Sequence, residues 1–159
     1  MSKYGVLAAR LKKDLRQIDK AVKAAVSQAK KAEATGDADY LQAAALSLQN
    51  FYMGVERVLE EIAKQVDESL PIGASSHREL LEQMGFELGK TRPAVLQAET
   101  LEELNLYRGF RHIAIHRYGF ELQPDRIREL VKALSVCQSH FSQDIESFCD
   151  FLLDLDQAL

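Results

Sequence analysis

Residues 127–155 read IRELVKALSVCQSHFSQDIESFCDFLLDL, with an apolar residue at every third or fourth position. An α-helix has about 3.6 residues per turn, so this spacing places the apolar side chains on one face. The members of this stripe are Ile127, Leu130, Leu134, Cys137, Phe141, Ile145, Phe148, Leu152 and Leu155. A long helix with one apolar face must bury that face against other helices, which indicates a helical bundle.

The same spacing recurs in two long segments upstream. The first stripe is Leu7, Leu11, Leu15, Ile18, Val22, Val26 and Ala29, and the second is Leu41, Ala45, Leu48, Tyr52, Val55, Leu59, Ile62 and Val66. Between them lie Gly36, which can end a helix in a left-handed conformation, and Asp37, which can cap the next helix. The short break predicts an antiparallel helical hairpin.

Two more helices are predicted between the hairpin and the C-terminal stripe. Ser76 and Glu79 have the spacing of a capping box, which predicts a short helix starting there. A further helix is predicted from about Glu99 to Tyr118. We therefore predict an all-α, up-and-down bundle of four longer helices plus one short helix, as a single domain over residues 1–159.

Composition supports a helical protein without a membrane segment. Eight glycines and three prolines are too few for the many turns that an all-β or βαβ chain of this length needs. No apolar run is long enough to span a membrane and no signal peptide is visible, so a cytoplasmic location without membrane association is expected. Cys137 and Cys149 lie about 18 Å apart along one predicted helix, too far for a disulfide, and are expected to be reduced core thiols.

Charge is strongly segregated along the chain. The net charge is −4, but residues 1–34 contain nine Lys/Arg and three Asp/Glu, and residues 133–159 contain five acids and no Lys or Arg. Any nucleic-acid site must therefore be a local patch. For residues 1–34, a merely solvated helix face explains the charge equally well.

Residues 108–118, RGFRHIAIHRY, contain three Arg, two His and one Tyr, and no acid. One face of the predicted helix carries Arg108, Arg111, His112 and Ile115. His116 lies about 140° round an ideal helix from Arg111. The two side chains can therefore converge only if the helix end bends or a second subunit contributes.

Three interpretations of this segment remain open from the residues alone. His112 and His116 have a spacing that can bind zinc, but no Glu follows His112 and no third ligand is evident nearby. Alternatively, the arginines cap the helix and pair with the acids of residues 99–103. In the third interpretation the arginines bind a phosphate and the histidines transfer protons, with no metal required.

The segment RHIAIHRY, residues 111–118, resembles the Arg-x4-6-His motif of the HEPN superfamily of ribonucleases, including the polar residue directly after Arg. The Tyr two positions after His resembles the extended Arg-x4-6-His-x-Tyr motif of HepT toxins, the partners of minimal nucleotidyltransferase (MntA-type) antitoxins. Residues 50–57 (NFYMGVER) and 77–84 (HRELLEQM) also resemble HepT-like chains. The resemblance covers about residues 40–135.

The resemblance implies a HEPN-like bundle that forms a homodimer through the motif helix, and a metal-independent endoribonuclease that needs no cofactor. The ribose 2′-OH would attack the neighbouring phosphate and leave a 2′,3′-cyclic phosphate. By position in the motif, His116 is the general acid or base and Arg111 stabilises charge on the phosphate. His112 orients or polarises the site. Arg108 and Arg117 match no motif position and are predicted only to contact the RNA backbone.

Tyr118 corresponds to the Tyr of HepT toxins that receives AMP from the antitoxin. The resemblance implies that this AMPylation silences the toxin of a type VII-like toxin–antitoxin pair, because the added phosphate competes with RNA in the Arg-rich cleft. The alternative for Tyr118 is packing against Phe120. The alternative for the whole chain is a catalytically silent HEPN-like module that docks a nucleotidyltransferase.

Several polar residues near the motif receive no functional role from the sequence. His77 and Arg78, at the start of the predicted short helix, are interpreted as helix-capping residues. Tyr52 and Glu56 lie near the apolar stripe of the second helix, and no mechanism follows for them. His140 lies on the last helix, away from the motif, and is expected at the surface or in an interface.

Overall fold

The computed structural model describes residues 2–117 and 122–158. These residues form the helices α1 (Lys3–Thr35), α2 (Ala38–Ile62), α3 (Ser76–Met84), α4 (Ala98–Ile115) and α5 (Pro124–Ala158). A π-helical turn, Ala63–Asp67, continues α2. Within the described ranges there is no β-strand, so the predicted all-α bundle of four longer helices plus one short helix is confirmed. None of the described helices is long and apolar enough to cross a membrane.

The predicted hairpin is formed by α1 and α2. Gly36 ends α1 with φ 72°, in the left-handed region that glycine adopts without strain. The side chain of Asp37 accepts a hydrogen bond from the backbone N–H of Asp39 at 2.9 Å, as expected for a cap. Ser47 on α2 donates to Gln28 on α1 at 2.7 Å. These two residues lie at similar distances along the chain from the break, so the helices run antiparallel.

Helix α5 packs against both α1 and α4. Hydrogen bonds show the direction of each pair. On the α1 side, Gln138 bonds to Asp19 and Asp156 bonds to Ser2, which precedes α1. On the α4 side, the Leu130 carbonyl bonds to Tyr107 and His140 bonds to Glu103. In both pairs, residue numbers rise on one helix as they fall on the other. Both pairs are therefore antiparallel, as an up-and-down bundle requires.

The apolar stripes form one buried core, which includes both cysteines. Cys137 and Cys149 are free and buried, as predicted. Burial raises the pKa of the Cys137 thiol to about 12 and that of Cys149 to about 11. Both thiols stay protonated at neutral pH, so they act as small apolar residues.

The start of α3 differs from the prediction. The helix begins at Ser76, but the cap position is Ser75, and no side-chain hydrogen bond caps the helix. The predicted capping box between Ser76 and Glu79 is therefore wrong. The backbone N–H of Glu79 instead donates to the carbonyl of Ser75 at 3.0 Å, which is an ordinary helical bond.

A buried ion pair, which the sequence did not predict, holds α3 against the end of α2. Arg92 donates to both carboxylate oxygens of Asp67, at 2.5 and 2.8 Å, and both side chains are fully buried. The Arg92 guanidinium also donates to the carbonyls of Gln83, Phe86 and Pro93. The network therefore joins the end of the π-helical turn before α3 to the last residues of α3 and the loop after it.

Candidate functional site

A cavity of about 440 Å³ lies between α2, the start of α3 and the C-terminal end of α4. The end of α4 contributes Arg108, Arg111, His112, Ile115 and His116 to its lining. This set includes the three residues predicted to be catalytic, Arg111, His112 and His116. The cavity is large enough for a nucleotide-sized ligand.

The end of α4 explains how His116 joins Arg111 within one chain. The helix ends at Ile115, three residues before the predicted end at Tyr118. His116 is the cap residue, and its N–H donates to the carbonyl of Ile113 at 3.1 Å, which tightens the last turn. The ring centroids of His112 and His116 are 4.9 Å apart in an edge-to-face arrangement. Arg111 and His116 thus line one cavity of a single chain, and this lining needs no second subunit.

Glu56 on α2 is the one carboxylate residue among the described residues that line the cavity. It is buried, and its Oε1 accepts a hydrogen bond from Arg111 Nη1 at 3.3 Å. Its other oxygen, Oε2, lies 2.5 Å from His77 Nδ1 at the start of α3. One carboxylate thus joins three elements of the site. The interpretation of His77 and Arg78 as helix-capping residues is wrong, because no side-chain hydrogen bond caps α3 and both residues line the cavity.

Two buried donors at the cavity have no hydrogen-bond partner among the described residues. They are the hydroxyl of Tyr52 and the Nε of Arg111. The pKa of Tyr52 is raised, mainly by burial and to a smaller extent by the nearby charge of Glu56. The hydroxyl therefore stays protonated and can donate a hydrogen bond. A buried donor without a partner costs about 1–3 kcal/mol, so both groups favour a ligand that can accept hydrogen bonds.

Of the two arginines predicted to contact RNA, only Arg108 lines the cavity. Arg108 lines the cavity, and its Nε donates to Asn105 at 2.8 Å. Arg117 is exposed and lines a second groove of about 520 Å³, together with Arg108 and Ile113. The structure therefore does not bring Arg117 into the cavity of Arg111.

The other interpretations of this segment fit the structure less well. The acids of residues 99–103 do not pair with the motif arginines: Arg111 binds Glu56, and Glu103 binds His140 at 2.8 Å. That bond is the main reason why the pKa of His140 is raised. Glu99, Glu103 and His140 form the one cluster of three metal-ligating side chains in the described residues, and it includes neither motif histidine.

Tyr118 and Phe120 lie outside the described residues. The AMPylation assigned to Tyr118 and its alternative, packing against Phe120, both remain predictions.

Glu56 and His77 line the cavity but were not predicted as parts of the site. A signal for Glu56 was present, since it lies among Tyr52, Val55 and Leu59 on the apolar face of α2. A charged residue on a buried face requires a partner. No such signal is present for His77, because its contact with Glu56 joins residues 21 positions apart.

The part of the chain that contains the cavity-lining residues matches a family model. A sequence profile described as HepT-like protein matches residues 43–152. The chain belongs to the HepT-like family. The match extends further into α5 than the resemblance in the sequence indicated, and it leaves out α1. Searches of curated proteins and of solved structures found no match.

Proposed function

We propose that this HepT-like chain is a cytoplasmic, metal-independent endoribonuclease and the toxin of a type VII-like toxin–antitoxin pair. The observation that carries this proposal is the cavity at the end of α4. It gathers Arg111, His112 and His116, the motif residues of the family resemblance, in one protomer.

The charge and hydrogen-bonding capacity of the cavity favour a phosphate ligand. Arg78, Arg108 and Arg111 line it, against the single carboxylate of Glu56. Arg111 Nε and the hydroxyl of Tyr52 add two donors without partners among the described residues. Guanidinium groups bind phosphate oxygens through charge-assisted hydrogen bonds. An RNA phosphodiester would supply both the negative charge and the acceptors.

The chemistry follows from these groups. The ribose 2′-oxygen attacks the adjacent phosphorus, the bond from phosphorus to the 5′-oxygen breaks, and a 2′,3′-cyclic phosphate remains. His116 transfers a proton in this step, and Arg111 stabilises the charge that develops on the phosphate. His112 packs against the ring of His116 and orients it. Arg108 contacts the RNA backbone within the cavity and Arg117 contacts it outside.

The experiment that tests this function is RNA cleavage by the unmodified chain in excess EDTA. We expect cleavage of a mixed RNA with 2′,3′-cyclic phosphate and 5′-hydroxyl ends, since no step requires a metal. Mass spectrometry first establishes that the protein carries no AMP. Absence of cleavage by a folded, unmodified chain would contradict the proposal and favour the silent module that docks a nucleotidyltransferase.

Tyr118→Phe is expected to retain RNA cleavage and to escape silencing. The partner in this proposal is an MntA-type minimal nucleotidyltransferase, which transfers AMP from ATP to the Tyr118 hydroxyl with loss of the hydroxyl proton and release of pyrophosphate, so the phenylalanine variant offers no acceptor. The measurement is the mass of the chain and its RNase activity after incubation with the nucleotidyltransferase and ATP. Tyr40→Phe, on α2, is the control. A mass increase of one AMP in Tyr118→Phe would show that another residue is modified.

The chain is also proposed to form a homodimer through α4. Leu106 and Ile113 are exposed on this helix, seven residues apart, and an added Cβ at Gly109 between them would meet no atom of the described residues within 4 Å. They form an open apolar strip on which a second α4 can pack. Ile113→Glu is expected to shift the protein from dimer to monomer in sedimentation equilibrium, whereas Ile72→Glu, in the exposed loop before α3, is not. An unchanged dimer in Ile113→Glu would place the interface elsewhere.

A further inference from the structure

His77 and Glu56 form a pair that the motif does not include. His77 Nδ1 lies 2.5 Å from Glu56 Oε2, and Glu56 Oε1 accepts a hydrogen bond from Arg111. The Glu56 side chain is only 7% exposed, whereas His77 is 54% exposed. A buried carboxylate therefore holds a histidine whose other ring edge is accessible.

The pairing determines which nitrogen of His77 is available. A carboxylate accepts hydrogen bonds, so the Nδ1 beside Glu56 carries a proton. Nε2 is then the nitrogen that can exchange a proton with a ligand. His77 lines the same cavity as His112 and His116, but it comes from α3 rather than from α4. The cavity of one protomer thus contains histidines from two different elements.

We propose that His77 is the second proton-transfer residue of the ribonuclease, which rests on the function proposed above. Cleavage needs one group to remove the proton from the 2′-OH and another to protonate the departing 5′-oxygen. In this proposal His116 takes the 2′-OH proton as the new bond from the 2′-oxygen to phosphorus forms. His77 gives its Nε2 proton to the 5′-oxygen as the bond from phosphorus to that oxygen breaks.

The surroundings of the two histidines support this division of roles. His77 as the acid must carry a positive charge before the step, and the carboxylate of Glu56 balances that charge. His116 as the base must start neutral. It has no carboxylate partner among the described residues, and Arg108 and Arg111 share its cavity. Glu56 is a positioning residue, because it fixes both the His77 ring and the Arg111 guanidinium.

The test uses an RNA in which the 5′-oxygen of the cleaved linkage is replaced by sulfur. The linkage is chosen from the cleavage products of the parent chain. A thiolate is a much better leaving group than an alkoxide, since a thiol has a pKa of about 8.5, so its departure needs no acid. This substrate therefore distinguishes loss of the acid from loss of the base.

His77→Gln is the main variant, because the glutamine amide can still donate to Glu56 and limit the cost of leaving that carboxylate unpaired. We expect His77→Gln to slow cleavage of ordinary RNA by about 10²–10⁴-fold and to cleave the sulfur substrate within about tenfold of the parent rate. His116→Ala is expected to be slow on both substrates. His140→Ala, which removes a histidine outside the cavity, is the matched control and is expected to cleave both normally.

Three results would overturn the proposal. His77→Gln as fast as the parent on ordinary RNA would remove any role in proton transfer. His77→Gln equally slow on both substrates would assign it a structural role, and rescue of His116→Ala by the sulfur substrate would reverse the acid and base. A parent chain that cleaves neither substrate would overturn the ribonuclease itself, which is a different outcome from failure of the variant alone.

Co-expression of His77→Gln with His116→Ala tests whether both groups belong to one protomer. If acid and base lie in the same protomer, as the cavity indicates, every site in a mixed dimer lacks one of them and activity stays low. Recovery of cleavage in the mixed sample would mean that the acid and the base come from opposite protomers, and would overturn this part of the proposal.

Discussion

His116→Ala is expected to lower the rate of RNA cleavage by about 10²–10⁴-fold, because it removes a proton-transfer group from the step that breaks the phosphodiester. Its side chain is exposed at the end of α4, so the substitution should leave the fold intact. The measurement is the single-turnover cleavage rate, with circular dichroism and thermal unfolding as checks on folding. Retention of the parent rate by a folded His116→Ala would remove this residue from the chemistry.

Arg111 needs a different pair of variants, since Arg111→Ala leaves the buried Glu56 with one partner fewer. Arg111→Lys keeps a positive charge but loses the planar group that can bind two phosphate oxygens together. We expect both variants to lose activity, with the lysine variant retaining more of the parent's stability. Arg126→Ala, on α5 and outside the cavity, is the matched control. Normal cleavage by Arg111→Lys would show that charge alone is sufficient.

Arg92→Met is expected to destabilise the protein by about 3–5 kcal/mol, because it leaves the fully buried carboxylate of Asp67 without its cation. Three backbone carbonyls, of Gln83, Phe86 and Pro93, lose a donor in the same substitution. The measurement is the free energy of unfolding from urea denaturation. A loss of that size is a large part of the total stability of a domain of this length.

Lys90→Met provides the control for Arg92→Met, since Lys90 lies on the same loop and is exposed. We expect a change within about 0.5 kcal/mol for this surface residue. A double variant that also carries Asp67→Leu is expected to recover part of the lost stability, because it no longer buries an unpaired charge. A loss below about 1 kcal/mol in Arg92→Met would show that the ion pair contributes little.

The helices and their pairing were largely predictable from the sequence. The stripe that begins at Leu7 and the one that begins at Ile127 each determine one buried face, since helical periodicity is a local property. Gly36 and Asp37 likewise determine where the hairpin turns. Ends of helices were less predictable, because the end of α4 at Ile115 depends on how its last carbonyls are satisfied.

The candidate site was predictable only in part. Arg111, His112 and His116 lie within six consecutive residues, so the motif that they form can be recognised from the sequence without the fold. His77 and Glu56 lie on α3 and α2, and nothing local links them to the motif. The prediction that Arg108 and Arg117 contact the RNA backbone stays a prediction: both line the second groove, and only Arg108 also lines the cavity.

The sequence by itself determined that this chain forms an all-α bundle and which segment contains the cluster of Arg and His residues, because both depend on residues that are close together in the chain. Only the tertiary structure decided that the cavity is closed by α2 and α3, that Glu56 joins Arg111 to His77, and that Arg92 pairs with Asp67. These contacts depend on how the helices pack. A buried charge needs a partner, but the partner is chosen by distance in the folded chain and not by position in the sequence.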